Sequence, residues 1–188
     1  MARAGRTGGL PPARPSAALD DDSAILLAYR VRNGHDGTDE TLLARSPDGE
    51  CFTTLVALPE GRFGAMAVER PALVRRADGG WRLYVCCATP ESKHWWIGAL
   101  DAQTPDGFED AEVRMVFAGD ERTAVKDPLV RRTGSGWEAW VCCHLLDVPG
   151  AEDRMNTAYA TSADGLRWDW HGTVLEGARK GGTRAVRA

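Results

Sequence analysis

The sequence contains no apolar run approaching the about 20 residues that a membrane-spanning helix requires. Nor does any stretch of a dozen residues repeat apolar side chains at i, i+3, i+4 and i+7 between helix caps. Helical architecture, in or out of a bilayer, has little to build on. Basic charge is also lacking: 23 Lys and Arg stand against 27 Asp and Glu, for a net charge of −4, and the basic residues are dispersed among the acids. Nucleic-acid binding, which rests on a concentrated basic surface, is therefore not expected. Missing too are the phosphate loop, the G-x-S-x-G elbow and the dinucleotide fingerprint that would mark other catalytic classes. Four histidines without ligand spacing and the absence of C-x-x-C leave no reason to expect a metal or cofactor. The five cysteines are odd in number, and four form the vicinal pairs Cys86-Cys87 and Cys142-Cys143. Neighbours on a strand point to opposite faces, so these read as small buried residues of a reducing compartment rather than disulfides or ligands. The N-terminal MARAGRTGGLPPARP shows no apolar signal core, and the expected location is cytoplasmic, with no membrane partner.

What the sequence does contain is a repeat. Asp48, Asp106 and Asp164 each precede a glycine in a Pro/Ala-Asp-Gly turn, spaced by 58 residues and again by 58. ERPALVRRADGGWRLYVCC (69–87) matches KDPLVRRTGSGWEAWVCC (126–143), with Trp81 and Trp137, and the two cysteine pairs, 56 apart. A fainter first copy begins at Arg14-Pro15, passes Asp20-Asp21-Asp22 and sets AILLAYR (24–30) where the others have WRLYVCC and WEAWVCC. Fixed-period self-similarity of this kind marks a stacked or radial architecture.

Short apolar runs bounded by turn residues predict strands within each unit. The first is expected to open after the proline (72–76, 129–132), since proline lacks an amide donor and suits a strand's start. An aromatic second strand follows (81–87, 137–143). A third enters the Asp-Gly turn (157–162) and a fourth runs through 167–175. Four antiparallel strands per repeat is the blade plan of a β-propeller. The prediction is all-β, with three blades at 13–58, 69–117 and 126–175 of a probable five, a disordered segment at 1–12 and a disordered basic tail at 176–188. Closed propellers have about four to eight blades, so an open arc should self-associate through its unpaired blade edges.

Antiparallel geometry brings the start of each first strand beside the end of the second. One face of the disc then gathers Arg14, Glu69, Arg70, Lys126 and Asp127 with three loops carrying, among others, Arg32, Asp39, His94, Trp95, Trp96 and His144. Carboxylates, imidazoles, guanidinium groups and indoles together suit a sugar, whose hydroxyls take charged hydrogen-bond partners and whose ring faces take aromatic platforms. The candidate carboxyls are Asp127 and Glu69; the candidate substrate-binding residues are Arg70, His144, His94, Trp95 and Lys126. Of the adjacent indoles Trp95 and Trp96, one must point away from such a site.

The pattern ERP and KDP, followed by an aromatic strand and then Ser162-x-Asp164-Gly165-x-x-Trp168, resembles the five-bladed propellers of glycoside hydrolase families 43 and 32 over about residues 13–175. That resemblance implies a glycosidic substrate at the propeller axis. It also implies that Asp127 corresponds to the aspartate that orients substrate and tunes the general acid. Two departures stand out: Ala13-Arg14-Pro15 supplies no aspartate, and Glu69-Arg70-Pro71 places its carboxylate one position early. Glycosidases need two carboxyl groups about 5 to 9.5 Å apart. The alternatives to hydrolysis are a non-catalytic glycan-binding or protein-interaction propeller, and an inactive fragment. Structural ion pairing of Glu69 and Asp127 with Arg14, Arg70 or Lys126 competes with a catalytic role.

Overall fold

In the computed structural model, residues 15–32, 37–148 and 155–177 and the backbone of 183–185 are described. They form three antiparallel sheets in chain order. Blade 1 is β1 (Ser16–Leu19), β2 (Ile25–Arg32), β3 (Asp39–Ser46) and β4 (Thr53–Pro59). Blade 2 is β5 (Val68–Arg75), β6 (Trp81–Ala88), β7 (Trp95–Ala102) and β8 (Arg114–Phe117). Blade 3 is β9 (Thr123–Arg132), β10 (Trp137–Leu145), β11 (Met155–Ser162) and β12 (Asp169–Gly177). Each strand pairs with its sequence neighbour, so each blade is a meander. The only helical pieces among the described residues are two 3-10 turns, Glu60–Phe63 and Asp106–Glu109. No helix among them is long and apolar enough to cross a membrane.

The structure alters four sequence expectations. Pro71 and Pro128 do not open strands; they lie inside β5 and β9, at β-bulges where the register slips between Glu69 and Ala72 and opposite Trp140 and Cys142. A bulge leaves a residue without a ladder bond, which is what lets proline sit within a strand. The faint first repeat is in register one residue later than AILLAYR suggests. Ala28 faces Ser16 and Leu43 as Tyr84 faces Ala72 and Ala99, so Ile25, rather than Ala24, corresponds to Trp81. Asp106 holds the same place between third and fourth strands as Asp48 and Asp164, but in a 3-10 turn rather than a tight hairpin. Finally, the tail expected to lack structure from 176 onward contains β13 (Thr183–Ala185), which pairs with β12 as a fifth strand of blade 3. The segment 1–12 lies outside the described residues.

Two apolar joints hold the blades together. In the first, Leu26, Ala28, Leu43, Val56 and Leu58 of blade 1 meet Leu83, Val85 and Leu100 of blade 2. In the second, Ala72, Tyr84, Cys86, Ile97 and Ala99 of blade 2 meet Val130, Trp137, Ala139, Val141 and Ala160 of blade 3. Every blade thus has a leading face toward the next and a trailing face toward the one before. Strand alternation makes this possible, because the central β6 is buried on both faces along its whole length. Burying such side chains contributes about 1.5–3 kcal/mol each, which makes the joints the main stabilising contacts.

The second joint has a polar lock. The Tyr84 hydroxyl donates to the Gly165 carbonyl (2.7 Å), and the Arg82 guanidinium donates to the Asp164 carbonyl (2.5 Å) and, through Nε and Nη2, to Asp101 (2.6 and 2.7 Å). Gly165 has φ +74°, and a side chain there would meet the Trp137 ring at 2.8 Å. The Ser162-Ala163-Asp164-Gly165 turn is therefore a plug seated in the leading face of blade 2.

Candidate functional site

The two bulges determine the site. At each, a non-glycine residue takes a left-handed conformation: Arg70 has φ 36° and Asp127 has φ 54°. Such backbone costs on the order of 1–3 kcal/mol and survives only where the surroundings impose it. Here it places residues from equivalent positions in neighbouring blades side by side. Arg70 Nη1 lies 2.9 Å from Asp127 Oδ2, and Lys126 Nζ donates to Glu69 Oε2 at 2.7 Å. The first strands β1, β5 and β9 line a cavity of about 440 Å³ that includes Pro15, Ser16, Arg70, Pro71, Asp127 and Pro128.

The two candidate carboxyls sit in contrasting environments. Glu69 also accepts from Arg30 Nη1 at 2.9 Å. Burial pushes its pKa up, but the Lys126 hydrogen bond and charge, with Arg30 and Arg70, outweigh that and hold it below the usual glutamate value. The Asp127 side chain is 3% exposed. Its burial outweighs the pull of Lys126, Arg70 and His144, and Glu69 adds repulsion, so its pKa is raised. Although Arg70 is close, neither carboxyl oxygen of Asp127 accepts a directed hydrogen bond among the described residues. Its backbone N–H donates to the Cys86 sulfur at 3.0 Å. Two carboxyl groups with pKa values pushed apart are what acid–base chemistry requires.

Of the other predicted residues, Trp95 lies beneath Lys126, with Nζ 4.5 Å from the ring centroid. Trp96 turns the other way and packs in the first joint, as alternation along β7 requires. His144, on β10 opposite Ala124, is close enough to Asp127 for its charge to act on it. His94 stands apart: its Nδ1 is 3.2 Å from the Thr89 hydroxyl, and its ring lies against Gly119. Arg14 lies outside the described residues. The vicinal cysteines are all free, and burial pushes Cys87 up to about 12 and Cys143 to about 11, leaving inert thiols. No group of three or more His, Cys, Asp or Glu among the described residues could hold a metal ion.

Sequence reasoning passed over Arg30 and left Asp39 among the rim residues. Asp39 is 1% exposed, 2.9 Å from Arg32 and 3.8 Å from Arg30, and its backbone N–H donates to Glu60. Arg30 therefore bridges Asp39 of blade 1 to Glu69 of blade 2. In the structural register Arg30 falls where the other repeats carry Cys86 and Cys142, a charged group at a position otherwise given to small buried side chains, and the sequence match, one residue out, conceals this.

Similarity to known proteins is confined to structure. No protein-family model matches the chain, and no curated protein matches it in sequence. An α-L-arabinanase from Penicillium chrysogenum, solved with arabinobiose, superposes with a TM-score of 0.65 at 14% identity, over 88% of this chain and 49% of that one. The fold is that of the propeller glycoside hydrolases. A β-1,2-mannobiose phosphorylase from Listeria innocua, solved with β-1,2-mannobiose, gives a TM-score of 0.62 at 15% identity, over 89% of this chain and 59% of that one. A family 32 β-fructofuranosidase from Bombyx mori gives 0.62 at 12% identity, over 92% of this chain and 41% of that one. The chain thus spans about two-fifths to three-fifths of the length of these structures.

Proposed function

We propose that this chain carries the axial site of a glycosidase-like propeller, which takes a glycosidic substrate in the cavity between β1, β5 and β9. The observation that carries this reading is the pair of strained bulges that hold Arg70 and Asp127 against one another at that cavity. Asp127, kept protonated more readily than an ordinary aspartate, is the candidate proton donor to the glycosidic oxygen, in place of the orienting role that the family resemblance implies. Glu69, kept ionised, is the second carboxyl, oriented by Lys126 and Arg30. Lys126, seated on the Trp95 ring, holds Glu69 in place, and His144 stands near enough to Asp127 to act on it. The sugars bound in the similar structures, arabinobiose and β-1,2-mannobiose, make short oligosaccharides the ligands to try first.

A second reading is a glycan-binding propeller without turnover. It is favoured by the two cations that already neutralise Glu69. A panel of aryl glycosides and disaccharides, run with and without inorganic phosphate and followed by product release and calorimetry, separates the two. Asp127→Asn should lower turnover by several orders of magnitude while the far-ultraviolet circular-dichroism spectrum is unchanged. Calorimetric binding with no product from any substrate would replace the first reading by the second.

A further inference from the structure

We infer that two copies of this chain close head to tail, the leading face of blade 3 in each seating the trailing face of blade 1 in the other, to form a six-bladed ring. The argument starts from equivalent positions. Trp140 corresponds to Tyr84, Tyr159 to Ala99 and Leu129 to Ala72, and in blade 2 all three positions are buried against the next blade. In blade 3 the same positions face outward: Leu129 is 65% exposed, and Trp140, Tyr159 and His171 form a row of rings 5.3 and 5.4 Å apart. The edge of this blade is not the docking element, because β13 pairs with β12 there. Its face is.

The occupant follows from what such a face already holds. The leading face of blade 2 seats a Ser-x-Asp-Gly turn and the apolar trailing face behind it. Blade 1 carries the other tight turn of this kind among the described residues, with matching bonds. Ser46 Oγ donates to Asp48 Oδ1 (2.9 Å) as Ser162 Oγ does to Asp164 Oδ1 (3.0 Å), and Gly49 N and Gly165 N donate to those serines at 2.8 Å. Asp48 and Gly49 are exposed. Behind that turn, the trailing face of blade 1 presents Leu19 (68% exposed), Ile25, Leu27, Tyr29 and Leu42 to no other blade among the described residues. The indole N–H of Trp140 would then stand where the Tyr84 hydroxyl stands, as donor to the Gly49 carbonyl.

Area argues for closure rather than a single contact. A four-stranded face of eight-residue strands is roughly 19 by 23 Å, or roughly 440 Å² of flat area. One joint is about half of what a stable interface buries per partner, and two joints made at once reach it. Two-fold closure also uses both blade faces left uncovered among the described residues, which an open chain of copies does not. Six blades lie within the about four to eight of closed propellers.

Sedimentation equilibrium of the chain at micromolar concentration tests this. The expected species is twice the 20.4 kDa chain mass, without further growth. Leu129→Glu and Leu19→Glu, on opposite faces, should each raise the dimer dissociation constant at least about tenfold by burying a carboxylate against apolar surface. Circular dichroism and thermal melts check that the variants fold, with Leu129→Gln and Leu42→Gln as second choices for the same two faces. A monomer throughout overturns the proposal. So does a dimer sensitive to one face only, which would be a symmetric face-to-face pair, and so does a mass that grows without limit, which would be an open chain.

Discussion

The inner strands β5 and β9 share one backbone device and carry opposite charges on it. Both have a bulge, a non-glycine residue in the left-handed region and a proline immediately after. At the first position β5 has Glu69 and β9 has Lys126; at the second, Arg70 and Asp127. Each residue is paired with its own counterpart across the joint. A repeat that kept identical charges here would set like against like. The two blades differ where their equivalence would otherwise repel, so the difference is part of the joint. It is not symmetric in effect, however. Glu69 has a second cation in Arg30 and stays ionised, while Asp127 is sunk beside one misaligned guanidinium and holds its proton more tightly.

The sharpest way to break the comparison is Lys126→Glu, which puts a carboxylate opposite Glu69 in a half-buried setting. Losing one partner of a buried pair costs about 3 kcal/mol, and the new repulsion adds to that. The exchange Glu69→Lys with Lys126→Glu should recover most of the loss but not all, since Arg30 would then face a lysine. Urea melts of the four proteins give the coupling energy directly. Equal destabilisation of the single and double variants would show that the pair is incidental.

A gentler test uses the opposite pKa directions. Glu69 has a lowered folded pKa, so its ionised form contributes stability above the ordinary value of 4.5, and that contribution is lost as pH falls through the folded value. Glu69→Gln should therefore destabilise at neutral pH, with the gap to the parent closing in acid. Asp127 has a raised folded pKa, so its ionised form is penalised in the native state above that value. The penalty disappears as pH falls below the ordinary 3.8. Asp127→Asn should accordingly leave neutral-pH stability equal or higher, and this gap too should close in acid. Chemical denaturation from neutral to acid pH reads both signs, and two gaps of the same sign would refute the contrast between the carboxyls.

The blade plan was legible because it is periodic: the recurring Asp-Gly turns and the matched tryptophans and cysteines survive in the sequence. Trp81 and Trp137 open their strands as their spacing suggested. The bulges were not legible, since a proline after a charged residue reads as a strand start unless the strand is known to begin three residues earlier, as β5 does, or five, as β9 does. Of the axial residues, Glu69, Arg70, Lys126 and Asp127 could be named from the repeat itself. Arg30 could not, because the first copy has diverged and its register is offset by one, and for the same reason Asp39 was placed only among the loop residues. Which residues bond to which depends on the rotation between blades, a relation among units that no single unit encodes.

The smallest effect expected is at the turns. Asp164 accepts from the Leu166 and Arg167 amides at 2.8 and 2.9 Å and from the Ser162 hydroxyl, and these bonds hold its pKa low. Asparagine keeps the accepting oxygen and loses only the charge, so Asp164→Asn should cost about 0.5 kcal/mol at a mostly exposed site. The grip of blade 2 should survive, since Tyr84 and Arg82 bond to main-chain carbonyls of this turn and not to the carboxylate. Turnover per folded molecule, if the chain is catalytic, should therefore be unchanged, in contrast to Asp127→Asn. Asp48→Asn makes the matching change in a turn that no blade of the same chain covers among the described residues, and its effect should run in the same direction. A thermal shift for Asp164→Asn several times that of Asp48→Asn would mean that the joint depends on the carboxylate itself. The main-chain lock would then not be what holds blade 3 to blade 2.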